Sequence, residues 1–433
     1  MEVRVDLSDA PGNRKVPASM APEPTRQSSF PANPLPLHRP QAPGFMALDD
    51  LSTPSLLVEQ PRLETNLAAM QKKADTNDVA LRPHVKTHKS VAIARRQQQR
   101  GAEGLTVATV AEAETFIDAG FEDVRAAYPV TGRDKHERLQ ALRDEATISF
   151  TVDTVAGAEQ ASAVYADADD PVEVLMEVDV GHGRCGVHWS DKEAAATLAQ
   201  RITSLPGLQL AGLLTHAGQA YDGPSDGETE EEALRRVARH ERDRMLSVAS
   251  ALAEADVLDV TPDRFEISVG STPSMAAFEN TARDGFRVTE IRPGNYVMHD
   301  AMQVALGAAS LADCALTVLT TVVSLRSKPD GPDRAFVDAG KKVFTTDTGY
   351  GTDGYGIVLA DAAAMRPHPG LRVDALSEEH GWLTVADDTD LSVGDRLRIV
   401  PNHACVTVAT QGRLHVVDGD TVVDTWSVDA RGW

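Results

Sequence analysis

The sequence predicts an α/β protein, with an N-terminal (β/α)8 barrel of the TIM type followed by a C-terminal all-β domain. Three observations carry this. Eight short β-rich runs alternate with Ala- or Glu-rich helical patterns across roughly 230 residues, the count and length of such a barrel. After about residue 310 the helical pattern largely stops, and short strand-like runs follow one another closely with Asp/Gly turns between them. No glycine fingerprint follows the first run, which counts against the competing doubly wound sheet.

Taken in order, residues 1–45 hold nine of the 24 prolines among Ser, Gln and Ala, and predict a flexible arm. The barrel is expected over 46–310 and the β domain over 311–433, with the strand-like stretch near 54–59 able to join the latter. The barrel strands are expected at "VALR" (79–82), "LTVAT" (105–109), "VRAAY" (124–128), "TISFTV" (147–152), "VEVLMEVDV" (172–180), "LQLAGLLTH" (208–216), "RFEISVG" (264–270) and "VTEIR" (288–292). Helical patterns such as "TVAEAETFIDAG" lie between them. Beyond them, "ALTVLTTVVSL", "RAFVDAG", "GYGIVLA", "LRVDALS", "WLTVADD", "DRLRIVP", "CVTVAT", "RLHVVDG" and "TVVDTWSV" read as short strands.

Composition narrows the function. The 433 residues are 42% hydrophobic and carry 65 acidic against 42 basic side chains, a net charge of −23 that argues against nucleic-acid binding. Only ten of the basic residues are Lys, a surface resembling that of proteins from a salt-loaded cytoplasm, where screening removes self-repulsion. Three widely spaced cysteines, Cys185, Cys314 and Cys405, fit a reducing compartment better than a disulfide framework. With no apolar targeting stretch at the N-terminus and no membrane-length run, a cytoplasmic, membrane-free protein is expected.

A barrel presents its chemistry at the C-terminal ends of its strands, and here those ends are unusually polar. The first delivers Arg82, His84 and Lys86, just past Pro83, which forbids a helix from running through. The fifth delivers Asp179, His182 and Arg184, and the sixth His216, Gln219 and Tyr221. In "SVGSTPS", Gly270 permits an unusual backbone, Ser271 and Thr272 supply hydroxyls, and Pro273 suits a helix start. An ordinary N-cap explains that pattern too, but after strand seven of a barrel a phosphate cup is the expected occupant, closed by "RPGNY" from strand eight. A phosphate cup facing a lysine points to pyridoxal phosphate, whose aldehyde needs an amine for a Schiff base. The other reading of "HVKTH" is a metal pair, His84 and His88, which requires a helix to start at His84.

The motifs "RPHVKTHK", "VDVGHGRCGV", "SVGSTPS", "RPGNY", "LSEEHG" and "PNHACVT" together resemble the D-serine dehydratase / D-threonine aldolase family, pyridoxal phosphate enzymes of fold type III with an alanine-racemase-like fold. The resemblance runs from about residue 50 to the final "ARGW". It implies that Lys86 forms the Schiff base with His84 beside it, that Arg184 approaches the cofactor's phenolic oxygen and Tyr221 its ring nitrogen, and that Ser271, Thr272, Gly294 and Asn295 hold the phosphate. It also implies a divalent metal at His403 and Cys405, where family aldolases often carry Asp in place of the cysteine; a thiolate favours zinc, with manganese the other option, and leans toward the dehydratases. His403 and Cys405 alternate by two, so a strand would point both to one face, although an HxC pair alone more often marks a buried Cys beside a satisfied His. Glu378, Glu379 and His380 are candidate outer groups for that metal, with a solvated turn as the plain alternative. The implied substrate is a β-hydroxy-D-amino acid and the implied assembly a homodimer. An amino-acid racemase, or a non-catalytic pyridoxal-phosphate-binding protein, would share the barrel but has no evident need for "PNHAC".

Overall fold

The computed structural model describes residues 46–258, 261–327 and 333–432; the arm expected over 1–45 lies outside them. Among the described residues the first sheet runs through eight parallel strands, β1 (Ala80–Leu81), β2 (Leu105–Val107), β3 (Asp123–Pro129), β4 (Thr147–Val152), β5 (Val172–Asp179), β6 (Leu208–Leu214), β7 (Glu266–Val269) and β8 (Glu290–Ile291), with the two-residue strand Val187–His188 paired beside β5 as a ninth. Their order is β1-β8-β7-β6-β5-β4-β3-β2. A parallel bridge between His84 and Thr106 joins the two ends, so the sheet closes into a barrel. Each expected strand is present, with ends that differ from the expected ones by up to two residues.

The helices on the outside owe their starts to caps that the sequence supplies. Thr229 accepts the N–H of Glu232 while Glu232 reaches back, a reciprocal capping box that opens the 25-residue helix Glu230–Glu254. Thr109 and Thr154 cap Val110–Asp118 and Val155–Tyr165 in the simpler way.

Among the described residues the second sheet has eleven strands. Ser55–Glu59 lies between Arg413–Asp418 and the long central strand Leu316–Arg326. That central strand also pairs with Arg396–Val400 and Asp333–Val337, so one continuous run ties three neighbours together. Its apolar core takes in Leu63 and Leu67 from the helix Gln60–Asn77 and Tyr296, Val297 and Met298 from just past β8. The barrel's mouth is therefore packed directly against the β domain.

One expected strand is a helix. "CVTVAT" forms the helix Ala404–Ala409, entered from His403, because the buried Asp300 carboxylate takes the Ala404 N–H at 2.8 Å and Thr407 N–H returns to His403 O. A buried acceptor at the first turn overrides the β-branched composition of that stretch.

The barrel's lower interior is ionic where Val, Ile and Leu layers are usual. Arg125, 2% exposed, bridges Glu290 at 2.7 Å and Glu266, and donates to Ser149 Oγ at 2.9 Å. Arg82 turns down into this floor, away from the mouth where the sequence placed it, and pairs with Glu290 at 2.5 Å and Asp123 at 2.6 Å. Burial works against the Glu290 charge, but Arg125 and Arg82 together hold its carboxyl down to about 2.

Candidate functional site

Above that floor lies a cavity of about 370 Å³, open between the barrel mouth and the β domain. His84, Lys86, Thr87, His216, Tyr221 and Arg292 face it from the barrel, and His403 and Cys405 from the β domain. Among the described residues no carboxylate lines it, an uneven charge distribution in so acidic a chain.

Lys86 sits in the 3-10 turn Val85–Thr87, which His84 joins to Pro83. The turn is pinned by His84, whose Nδ1 accepts the Lys86 N–H at 3.4 Å, and by Lys89 N–H to Val85 O at 2.8 Å. Burial lowers the Lys86 pKa, the Cys405 thiolate pushes back, and the Arg184 and Arg292 charges lower it further. The amine is thus biased toward the neutral, nucleophilic form. Lys89, three residues on, is held by Glu112 and does not reach the cavity.

His88 does not pair with His84. It is fully buried, with Nε2 at 3.2 Å from Gln97 Oε1 and Nδ1 accepting the Ser90 N–H at 3.1 Å, so both nitrogens are committed within the wall. Burial drops its pKa to about 3. The metal-pair reading of "HVKTH" fails on that geometry.

The two halves of the motif expected to form a phosphate cup come together at the cavity. Gly270 has φ +141°, and a Cβ there would meet Arg292 N at 2.9 Å. Ser271 caps the short helix Thr272–Met275 and shares a capping box with Ser274, so its hydroxyl is spent on the turn, as the plain N-cap reading holds. A Cβ on Gly294 would lie 2.7 Å from His84 O and fill the cup. The N–H groups of Thr272, Gly294 and Asn295 have no protein acceptor among the described residues, while Thr272 Oγ1 receives the Tyr296 N–H at 3.1 Å. The Asn295 side chain is turned to Asp300 at 2.5 Å, which leaves its buried Oδ1 unpartnered. Three free N–H donors around a glycine-lined hollow, with a lysine on the facing wall, fit pyridoxal phosphate.

His216 donates through Nδ1–H to Gly270 O, 3.1 Å away, and burial together with Lys86 holds its pKa well below the usual value. Tyr221 is 6.4 Å from the His216 ring, centroid to centroid, and burial raises its hydroxyl pKa. Both flat rings line the space between lysine and cup.

His403 and Cys405 meet despite the helix, because the N-cap residue and the second helical residue both face the cavity. His403 Nδ1 is 2.8 Å from Asp347 Oδ2, which leaves Nε2 for a ligand. The Thr87 hydroxyl lies 3.1 Å from the Cys405 sulfur. Burial opposes charge on both groups, yet each supports the other: Cys405, Asp300 and Asp347 lift His403 to about 10, while His403 and Lys86 lower the Cys405 thiol. An imidazole beside a thiolate is a good donor set for zinc. No cluster of three or more His, Cys, Asp or Glu arranged for a metal occurs among the described residues, so a cation held by this pair would keep positions open for substrate or water.

Several sequence-predicted groups fall outside the cavity. The Asp179 carboxylate is occupied by the N–H groups of Gly181, His182 and Gly183. Arg184 has a half-exposed side chain 3.6 Å from Glu177 and does not line the cavity, although its charge is felt at Lys86. Gln219 donates to Val180 O at 3.2 Å. Glu378 and Glu379 are exposed and paired with Lys341 and Lys342, and His380 is exposed beside them; that turn is a solvated one. Conversely, sequence reading gave no role to Thr87, Arg292 or Asp347. The first two stood inside quoted motifs, whereas Asp347 lies in a glycine-rich loop that carries no local signal.

The chain matches the family profile described as alanine racemase, N-terminal domain, over residues 58–301, and a serine dehydratase domain profile over 315–417. It is 35% identical over 394 residues to D-threo-3-hydroxyaspartate dehydratase of Delftia sp. (strain HT23), covering 88% of this chain and 98% of that one. It is 36% identical over 397 residues to D-threonine aldolase of Arthrobacter sp., covering 91% and 96%. The solved Delftia dehydratase superposes with a TM-score of 0.79 at 34% identity over 89% of this chain and 100% of the other. Two further structures of D-threo-3-hydroxyaspartate dehydratase carry alanine in place of a histidine and of a cysteine two positions later, the cysteine variant in a metal-free form.

Proposed function

The chain belongs to the alanine-racemase-like family of D-serine dehydratases and D-threonine aldolases, and from that premise we propose that it is a pyridoxal-phosphate- and metal-dependent lyase of β-hydroxy-D-amino acids whose reaction is β-elimination. The observation that carries the reading is the cavity itself. A lysine biased toward neutrality opens on it from the barrel, and an imidazole–thiolate pair opens on it from the β domain.

Bound pyridoxal phosphate supplies the electron sink that makes a Cα proton labile. Lys86 is the amine that would hold its aldehyde, and the N–H groups of Thr272, Gly294 and Asn295 would hold its phosphate, with the Ser271 turn shaping that cup. Tyr221, on the cavity wall, would stand toward the ring nitrogen, whereas Arg184, outside the cavity beside Glu177, would act toward the phenolic oxygen through its charge. His403 and Cys405 would hold the divalent cation, zinc in this reading and manganese as the alternative, whose chemistry is that of a Lewis acid. Once released, the neutral Lys86 Nζ takes the proton from Cα. His84 and His216 are kept neutral by burial and by the Lys86 charge itself, so both imidazoles stand uncharged beside the amine. The His403/Cys405 wall would orient the β-hydroxyl, while Lys86 handles the Cα proton from the barrel.

Elimination is favoured over aldol cleavage by the cysteine at 405, since the dehydratase relative has been studied through replacement of a histidine and a cysteine with the same spacing. A product assay separates the branches: D-serine or D-threo-3-hydroxyaspartate yielding a keto acid and ammonia supports elimination, whereas D-threonine yielding glycine and acetaldehyde overturns it. Chelator-resistant interconversion of alanine enantiomers, with neither lyase product, would assign the racemase reading instead.

The −23 charge and the scarcity of lysine further support a salt-rich cytoplasm as the protein's setting, and the fold supports a homodimer. Activity and melting temperature are expected to rise with KCl well beyond about 0.15 M, where carboxylate repulsion is screened. Equal stability in dilute buffer contradicts that reading.

A further inference from the structure

The His403/Cys405 pair is gripped from two sides. Asp347 holds the imidazole from the β domain. The thiol is held from the barrel, by Thr87 at 3.1 Å. Thr87 is fully buried and follows Lys86 in the same one-turn 3-10 segment, so the hydroxyl and the amine are fixed to one piece of backbone. Both ends of that segment are anchored, by His84 Nδ1 to the Lys86 N–H and by His88 and Lys89 N–H to Val85 O. Cys405 is anchored as firmly, in a helix whose first N–H is taken by Asp300.

The Thr87 hydroxyl has no other partner among the described residues. Gly294 makes room for it, since a Cβ there would stand 3.0 Å from Thr87 Oγ1. A hydroxyl has one proton to give, and a thiolate can only accept, so the contact runs from Oγ1–H to Sγ. It is the polar link between the turn that carries the lysine and the helix that carries the sulfur.

We infer that Thr87 is a positioning residue for the metal: its hydroxyl donates to the Cys405 thiolate and fixes the sulfur in the direction that faces both His403 and the Lys86 amine. This rests on the reading of His403 and Cys405 as the metal pair. The consequence is registration. The cation and the proton-accepting amine belong to different halves of the fold, and this one hydrogen bond sets the sulfur's direction relative to the amine.

The test is zinc affinity, measured by competition with a chelator on full-length, cofactor-loaded protein stripped of metal. Thr87→Val keeps shape and loses the hydroxyl; Thr87→Ser keeps the hydroxyl. Thr87→Val is expected to bind zinc roughly 10- to 100-fold more weakly than wild type, the usual loss when a group that orients a ligand is removed. Thr87→Ser is expected within about threefold of wild type, a rescue that a packing role would not give. Unchanged affinity in Thr87→Val, or equal loss in both variants, overturns the inference while leaving the metal site standing. Wild-type protein that binds no zinc overturns both. Should Thr87→Val fail to fold, Thr87→Ala takes its place, and failure of both contradicts a positioning role, which predicts folded protein with its cofactor bound.

Discussion

The barrel's floor and its mouth are built from the same residue types and settle their charges in opposite ways. On the floor, Arg82 and Arg125 are matched by Glu266, Glu290 and Asp123 within hydrogen-bond distance, so the buried charges are internally satisfied. At the mouth, Lys86 and Arg292 face a cavity lined by no carboxylate among the described residues, with free N–H groups across from them. Arg292 belongs to both layers, donating through Nε to Ser268 Oγ at 2.7 Å, and Ser268 in turn donates to Glu290. The difference teaches where to look for function. Paired buried charge holds a fold together, whereas buried basic groups with no carboxylate beside them and open N–H groups mark the place where an anionic ligand completes the structure.

Substitutions at each level should separate the two roles. Lys86→Ala at the mouth is expected to cut turnover by roughly 10³- to 10⁴-fold. It should leave the apoprotein's melting temperature unchanged or raised, because it removes a buried amine whose charge is disfavoured. A large fall in stability would erase the distinction. Arg125→Met on the floor should do the reverse and destabilise the fold by about 3–5 kcal/mol, by stranding Glu266 and leaving Glu290 to Arg82 alone. Urea denaturation measures it, and a loss under about 1 kcal/mol would mean that the network is not a structural unit.

Acid should find the buried histidines. His88 is held near 3 and His299 near 4, both by burial, so between those values and about 6.5 the unfolded chain binds protons that the folded chain refuses. Stability is therefore full above about pH 6.5 and falls as pH drops, by on the order of 4 kcal/mol for His88 alone by pH 3. A flat stability profile from pH 7 to 4 contradicts that burial. The smallest effect is expected at the cup. Gly294→Ala places a Cβ 2.7 Å from His84 O and should weaken cofactor binding roughly tenfold, read by equilibrium dialysis, with the fold retained.

Much of this was legible in the sequence, for physical reasons. The eight barrel strands and the β domain follow from periodicity and turn residues, which act locally. Lys86, the two halves of the cup and the His403/Cys405 pair stood out because their motifs are short and chemically unusual. What the sequence did not disclose depends on distant partners. Arg82 reads as a mouth residue until Glu290 and Asp123 draw it down. "CVTVAT" reads as a strand until Asp300, about a hundred residues away, caps it as a helix. Thr87 and Asp347 acquire roles only when barrel and β domain meet.

The central claim is that Lys86 is the one lysine of "HVKTHK" left free to hold the cofactor, Lys89 being held by Glu112. Reduction of the purified protein with borohydride, followed by proteolysis and mass spectrometry, tests it most directly. The account predicts a pyridoxyl label on Lys86 alone, whereas a label on Lys89, or on neither lysine in protein that carries the cofactor, would contradict it.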